Sequence, residues 1–221
     1  MFKCIDNEYK NYLSALIHGE RRNCHNIVDR IKNNVATISD LYTQLFQKSL
    51  YEVGQLWEFN KISVAVEHVA TAITESLMNN VYADIEQLSN TGLRVIIASA
   101  PNEYHQIGAK MVADIFELNG WDTWYLGANT PTSELIRIAN DIQPHVIGLS
   151  LSVYFHLSDL ATMIHTINKN LPESPVIIGG QSFKHGNGTD FAKQFLDVSY
   201  IDSLDSLEQF IKNFNMNGKL S

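Results

Sequence analysis

The chain is poor in cysteine, in proline over its first third, in clustered basic charge and in long apolar runs. Its two cysteines, Cys4 and Cys24, stand outside any Cys-x-x-Cys spacing. A structural zinc site is therefore not expected, and two free thiols in a reducing compartment are a simpler reading than a disulfide. None of the five prolines falls within residues 1–85, so nothing there interrupts helices. The densest basic spot is the short "GERR" at 19–22, read as a solvated helix end, and the net charge is −8. Direct nucleic-acid binding is not expected from such a chain. No apolar stretch reaches the roughly 20 residues of a membrane span. The N-terminus lacks the charged-then-apolar layout of a secretory signal, and a cytoplasmic location is expected. Three catalytic signatures are also missing. The third strand ends in "GLSLSV" without a phosphoacceptor Asp, no GxxxxGK[ST] occurs, and no nucleophile elbow marks a Ser-His-Asp set. The chain is not expected to be an enzyme on its own.

What is present divides into two rhythms. In "YKNYLSALIHG" apolar residues fall at 9, 12, 13, 16 and 17, the stripe of an amphipathic helix, with Gly19 as its stop. Further helices fit 24–33, 37–58 and 63–83, giving a helical bundle over 1–85. Ser, Asn, Thr and Gly in "DIEQLSNTG" mark a break, with a linker at 86–92. From 93 to 221 apolar runs at 93–99, 121–126, 145–151, 175–180 and 197–201 read as strands. Helical patterns lie between and after them, at 106–119, 131–142, 157–170, 189–196 and 204–215. Thr130-Pro131 reads as an N-cap followed by proline at the first helical position. Five strand–helix alternations predict an α/β domain with a parallel sheet covered on both faces. The natural order is the flavodoxin-like 2-1-3-4-5 of a Rossmann-like fold.

In such a sheet, ligands bind beyond the carboxyl ends of the strands. The loop after the first strand offers Glu103, His105 and Gly108. The third strand ends on Ser150 and Ser152, and the fourth on Gly179-Gly180. Taken singly, each has a plain reading: a solvated histidine, a close helix start, a satisfied strand end, a tight turn. Together they form Glu103-x-His105-x-x-Gly108, Ser150-x-Ser152 and Gly179-Gly180. This set resembles the cobalamin-binding domain of methionine synthase, methylmalonyl-CoA mutase and the corrinoid methyl carriers. The resemblance implies that His105 is the cobalt ligand, taking the place of the cofactor's own benzimidazole base. The displaced nucleotide tail would enter a slot made by the glycines and lined by the serines. Neutral imidazole suits cobalt, and an acidic residue two positions earlier can fix its tautomer. Two positions depart from the family pattern. Glu103 replaces Asp, with a methylene expected to loosen or redirect that hydrogen bond, and Ser152 replaces Leu.

In the helical half, Asn60 and Ser63 predict a break in "GQLWEFNKISVAVEHVA", with Trp57 ending one helix and Glu67-His68 opening the next. On their own they read as a core tryptophan and a solvated helix start. The spacing Trp57-x9-Glu67-His68 resembles the motif of light-responsive cobalamin regulators of the CarH type. There it surrounds the adenosyl group, whose loss in light moves the bundle. The resemblance implies the same roles for Trp57, Glu67 and His68. This chain has Glu58 where that family has a histidine after the Trp, and the family's helix-turn-helix is not expected in the roughly 20 residues ahead of 24–33.

The expected function is thus a regulatory, photosensory protein that binds cobalamin base-off/His-on, adenosylcobalamin before methylcobalamin. It would signal to a protein partner, a transcription factor or a methyltransferase, and homo-oligomers are allowed. The alternative is a corrinoid methyl carrier. Carriers must open the upper face to a partner, which makes a capping Trp with a Glu-His pair less expected.

Overall fold

The computed structural model describes residues 2–32, 37–83, 89–183 and 187–217. The chain forms two compact units, Met1–Ile85 and Glu86–Ser221. Asn33 and most of the 84–92 break lie outside the described residues, as do the side chain of Cys4 and the loop at 184–186.

The first unit is helical: α1 (Phe2–Ile17), α2 (Arg21–Lys32), α3 (Ile38–Leu41), α4 (Lys48–Glu58) and α5 (Val64–Ala83). Helix α1 stops where Gly19 turns to φ 69°. Glu20 N then donates to Ala15 O (2.8 Å) and Gly19 N to Leu16 O (3.1 Å), a Schellman closure. Helix α2 begins three residues before the expected 24, because Cys24 N already bonds Glu20 O. Each helix buries one stripe, such as Cys24, Ile27, Val28 and Ile31 on α2 and Ala70, Ile73, Leu77 and Val81 on α5. The single helix expected over 37–58 contains a wider π turn, Tyr42–Gln47, between α3 and α4. It lies where the bulkiest core residues meet, with Phe46 against Tyr42 (5.8 Å between ring centroids) and Tyr12 (6.1 Å). Thr37 caps α3, its hydroxyl accepting from Asp40 N at 3.1 Å.

The second unit alternates β1 (Arg94–Ser99), α6 (Ile107–Leu118), β2 (Asp122–Gly127), α7 (Thr132–Ile142), β3 (Val146–Ser150), α8 (Leu157–Asn170), β4 (Val176–Gly179), α9 (Gly188–Ala192), β5 (Val198–Tyr200) and α10 (Leu204–Asn217). All pairings are parallel and the order is β2-β1-β3-β4-β5, as the apolar runs predict. The central strands β1 and β3 are buried almost throughout, whereas the edge strands β2 and β5 are half-buried. Ile96, Ala98, Ile147 and Leu149 point into a core with Leu135 and Ala139 of α7 and Leu160, Met163 and Ile164 of α8. Trp121 packs against Phe116 of α6 and Phe214 of α10 at 5.0 and 5.1 Å.

Two details differ from expectation. Pro131, not Thr130, is the N-cap of α7, and the helix begins at Thr132. The Thr130 hydroxyl instead donates to Gly127 O (3.3 Å), and Pro131, extended at ψ 133°, contributes its carbonyl to Leu135 N. Helix α9 is shorter than 189–196, because the chain turns after Ala192 toward Asp197, which has φ 51°.

Gly180 is fixed by this architecture. It has φ 114°, and a Cβ there would strike the carbonyl of Leu151. Gly180→Ala should lower unfolding stability by about 2 kcal/mol or more, read as a shift in urea midpoint.

Candidate functional site

The strand register sets the site. Ser99 of β1 pairs with Ser150 of β3, and Ser150 with Gly179 of β4. Three strands therefore end level, and the loops that follow share one rim. Hydrogen bonds join these loops. Ala100 N donates to Ser150 O, Leu151 N to Gly179 O, and both the backbone N–H and hydroxyl of Ser182 to Leu151 O.

At the centre of the rim is Glu103, fully buried. A buried carboxylate is costly unless donors surround it, and here four do. One oxygen accepts from His105 Nδ1 (2.6 Å) and His105 N (2.8 Å). The other accepts from Ser152 N (2.7 Å) and Val153 N (2.9 Å). Burial pushes the carboxyl up, but the bonds from His105, Val153 and Ser152 outweigh it and hold the pKa down at about 2. The longer side chain thus loosens nothing. Its first oxygen still meets the imidazole, and its second fastens the β3 loop.

With Nδ1 carrying the shared proton, Nε2 is the nitrogen of His105 suited to a metal. The His105 side chain is 57% exposed. Its carbonyl accepts from the Ser99 hydroxyl (3.3 Å) and the next carbonyl, Gln106 O, from Tyr125 OH (3.0 Å). Among the described residues no group of three or more His, Cys, Asp and Glu could cage a bare ion. One oriented imidazole suits a metal that arrives inside its own ligand ring.

The other expected residues separate by role. Gly108 sits exposed in the first turn of α6, where a Cβ would come 3.8 Å from Ser150 Oγ, an ordinary contact. The fold does not require glycine there, and a side chain would fill open space beside Ser150. Gly179 and Gly180 are different: a Cβ on Gly179 would press on Ile201 O at 3.0 Å, and Gly180 is held by Leu151. Both glycines are needed for close backbone approach. Ser150 is buried, and Ser152 is partly exposed with its N–H committed to Glu103.

Trp57, Glu67 and His68 belong to the helical unit, around the α4–α5 turn. Asn60, at φ 55°, closes α4, with Lys61 N donating to Leu56 O and Asn60 N to Trp57 O. Ser63 caps α5, its hydroxyl accepting from Val66 N at 3.4 Å. Trp57 is 48% exposed rather than a core residue. Glu67 accepts from His68 Nδ1 (2.6 Å) with one oxygen and from the Thr71 hydroxyl (2.9 Å) with the other. Phe59, Val64 and Val69 are also exposed on this unit.

Sequence reasoning placed Asn102 and Ser182 on the rim but missed Ser99, Asn129 and Asp159. Asn129 and Asp159 hold Asn102, Ser99 bonds the His105 carbonyl, and Ser182 ties the β4 loop to Leu151. Tyr104, Tyr154 and Phe155, which the sequence already places near the rim, stand exposed there.

Comparison with known proteins decides the family. The B12 binding domain matches residues 93–189, and a second B12 binding domain family matches residues 9–82. The chain is a B12 binding domain protein. It is similar to the HTH-type transcriptional repressor CarH of Myxococcus xanthus, 25% identical over 141 residues. That match takes in 63% of this chain and 46% of the repressor, so under half the relative's length is represented. Among solved structures, the monomethylamine corrinoid protein of Methanosarcina barkeri superposes with a TM-score of 0.77 at 12% identity, over 93% of this chain and 97% of that one. The methanol:cobalamin methyltransferase complex MtaBC of the same organism gives 0.53 at 15% identity, over 93% and 78%. Both likenesses concern the fold of this B12 binding domain protein. Among its described residues, no helix is long and apolar enough to cross a membrane.

Glu103 links the site to stability. Its carboxyl titrates near 2 in the fold, against an ordinary value of 4.5. The depressed value means stability that is complete above pH 4.5 and lost as pH falls toward 2, roughly 3 kcal/mol in all. Glu103→Gln should remove that acid-dependent loss. It should also cost about 2 kcal/mol at pH 7, because its NH2 must face one pair of N–H donors. Urea midpoints measured from pH 7 to pH 3 check both effects.

Proposed function

We propose that this protein is a cobalamin sensor. In this reading His105 Nε2 is the cobalt ligand, base-off/His-on, held by Glu103. Gly108 leaves room beside Ser150 for the cofactor's nucleotide tail, with Ser152, Gly179 and Gly180 forming the neighbouring rim. Trp57, Glu67 and His68 attend the upper ligand, Trp57 as an apolar surface and the Glu67-bound imidazole as a polar one. The observation that carries the reading is the Glu103–His105 pair: a buried, ionised carboxylate that orients an exposed imidazole at the strand ends. Tyr104, Tyr154 and Phe155 add exposed apolar area on the same rim, suited to a broad macrocycle.

When bound, adenosylcobalamin would supply a light-sensitive cobalt–carbon bond and methylcobalamin a transferable methyl group. The protein's own part is to bind, orient and shield. Its output would pass to a protein partner in the cytoplasm, a transcription factor in keeping with the CarH-like motif. A second reading, a corrinoid methyl carrier serving a methyltransferase, is favoured by the likeness to the monomethylamine corrinoid protein across 97% of that chain.

The test is to mix the protein with adenosyl- and methylcobalamin in the dark, then illuminate. A His-ligated absorption spectrum that changes with light, together with a shift in elution volume, supports the sensor. Stable methylcobalamin binding with no light-dependent shift in elution supports the carrier. Failure to take up either cofactor refutes both. His105→Ala should abolish the His-ligated spectrum. Gly108→Ala should leave the urea midpoint within about 0.5 kcal/mol of the parent while weakening cofactor uptake at least tenfold, a contrast with Gly180→Ala that separates a ligand-driven glycine from a fold-driven one.

A further inference from the structure

Asn129 lies on the β2–α7 loop, outside every motif considered so far, yet it touches each of the three residues that precede His105. Its side-chain oxygen accepts from Asn102 N at 2.9 Å. Its backbone N–H donates to Glu103 O at 2.8 Å. Its side-chain NH2 reaches Tyr104 OH at 3.5 Å. Asn102 in turn donates its side-chain NH2 to Asp159 Oδ2 of α8 at 2.9 Å. Both asparagines hold left-handed backbone, φ 64° at Asn102 and φ 47° at Asn129. A non-glycine residue adopts that conformation at a cost of about 1 kcal/mol or more, and it persists where surrounding bonds favour it. Two such residues, bonded to one another across two loops, form a clamp directly ahead of the imidazole. Asn129 is exposed, so the clamp contributes little to the core.

We infer that Asn129 is a positioning residue for the His105 ligand: its side-chain amide fixes the 102–104 segment so that the imidazole is already oriented before any cofactor arrives. The inference rests on the proposed role of His105. It extends the supporting shell from Glu103, which sets the tautomer, to a residue on a neighbouring strand's loop, which sets the loop's path. Loss of such outer support typically lowers metal affinity 10- to 100-fold.

Asn129→Gly keeps the left-handed backbone and the N–H to Glu103 while removing the side-chain amide. The probe is cob(II)alamin, bound to parent and variant and read by electron paramagnetic resonance for the splitting from an axial nitrogen. The parent should show the splitting in nearly all bound cobalt. The variant should show an axial ligation equilibrium at least tenfold weaker, seen as a population of bound cobalt without it. Asn129→Asp, which keeps an acceptor for Asn102 N, should restore most of the signal. A merely structural role would lower uptake or thermal stability and leave the splitting parental in whatever binds. A parental splitting in Asn129→Gly overturns the inference. If the parent takes up no corrinoid, the proposed function fails instead, and the clamp is judged on the free protein. There the backbone N–H of His105 should exchange with solvent about tenfold faster in Asn129→Gly while that of Ile96 is unchanged; equal exchange at both positions overturns the clamp as well.

Discussion

The carboxylate of Glu103 is the point on which the α/β unit's functional end depends. It is buried, it is ionised, and it accepts from four N–H groups on two loops. Without it, the N–H groups of Ser152 and Val153 and both donors of His105 would lose their acceptor. The same negative charge chooses the tautomer of His105. Loop closure and the orientation of the imidazole are therefore one interaction, and a change that disturbs one disturbs the other. With glutamate at 103, one oxygen serves the ring while the other reaches the β3 loop.

That arrangement presupposes the strand register. Because β1, β3 and β4 end level at Ser99, Ser150 and Gly179, their loops emerge side by side and can be stitched together by short bonds. The stitching makes the two kinds of glycine intelligible. Gly180 allows the backbone of the β4 loop to lie against Leu151, a demand of the fold. Gly108 answers no such demand, since an alanine there would make only an ordinary contact with Ser150. In the proposed reading, the space that Gly108 leaves open beside Ser150 is what the cofactor's nucleotide tail would occupy.

Much of this was legible in the residue order, and the reasons are local. Continuous apolar runs identify buried parallel strands, and the five runs here yield the observed order. The spacing Glu103-x-His105-x-x-Gly108 is read from a single loop, so it is visible without a fold. The parts that escaped depend on tertiary contacts. Asn102 and Asn129 are 27 positions apart, and nothing in either neighbourhood announces that one side chain caps the other's loop. The left-handed turn at each was the available hint, since asparagine favours it. Thr130-Pro131 misled because the helix starts one residue later than expected: the Thr130 side chain turns back to donate to Gly127 O, and Pro131 is the N-cap. The π turn at Tyr42–Gln47 leaves the apolar periodicity almost unchanged, and sequence patterning cannot resolve one wider turn among regular ones.

The helical unit bears on which of the two cobalamin readings is better. A methyl carrier has to present its metal to a second protein, which argues for a cap that is easily cleared and carries few committed polar groups. Here Glu67 uses both oxygens, one on the ring of His68 and one on Thr71, so the imidazole is held in one orientation at the start of α5. Trp57 stands at the end of α4 with about half its surface in water. A large aromatic left so exposed gains nothing for the bundle's own core, and its neighbours Phe59 and Val64 are more than decorative only if something apolar covers them. In the proposed sensor, Trp57 would offer the upper ligand an apolar surface and the Glu67-bound imidazole of His68 a polar one, so shape and polarity would both count. Discrimination is the requirement of a sensor, whereas a carrier needs access. The fold is common to both readings, and the commitment of Glu67 is what the proposed sensor would use and a carrier would not need.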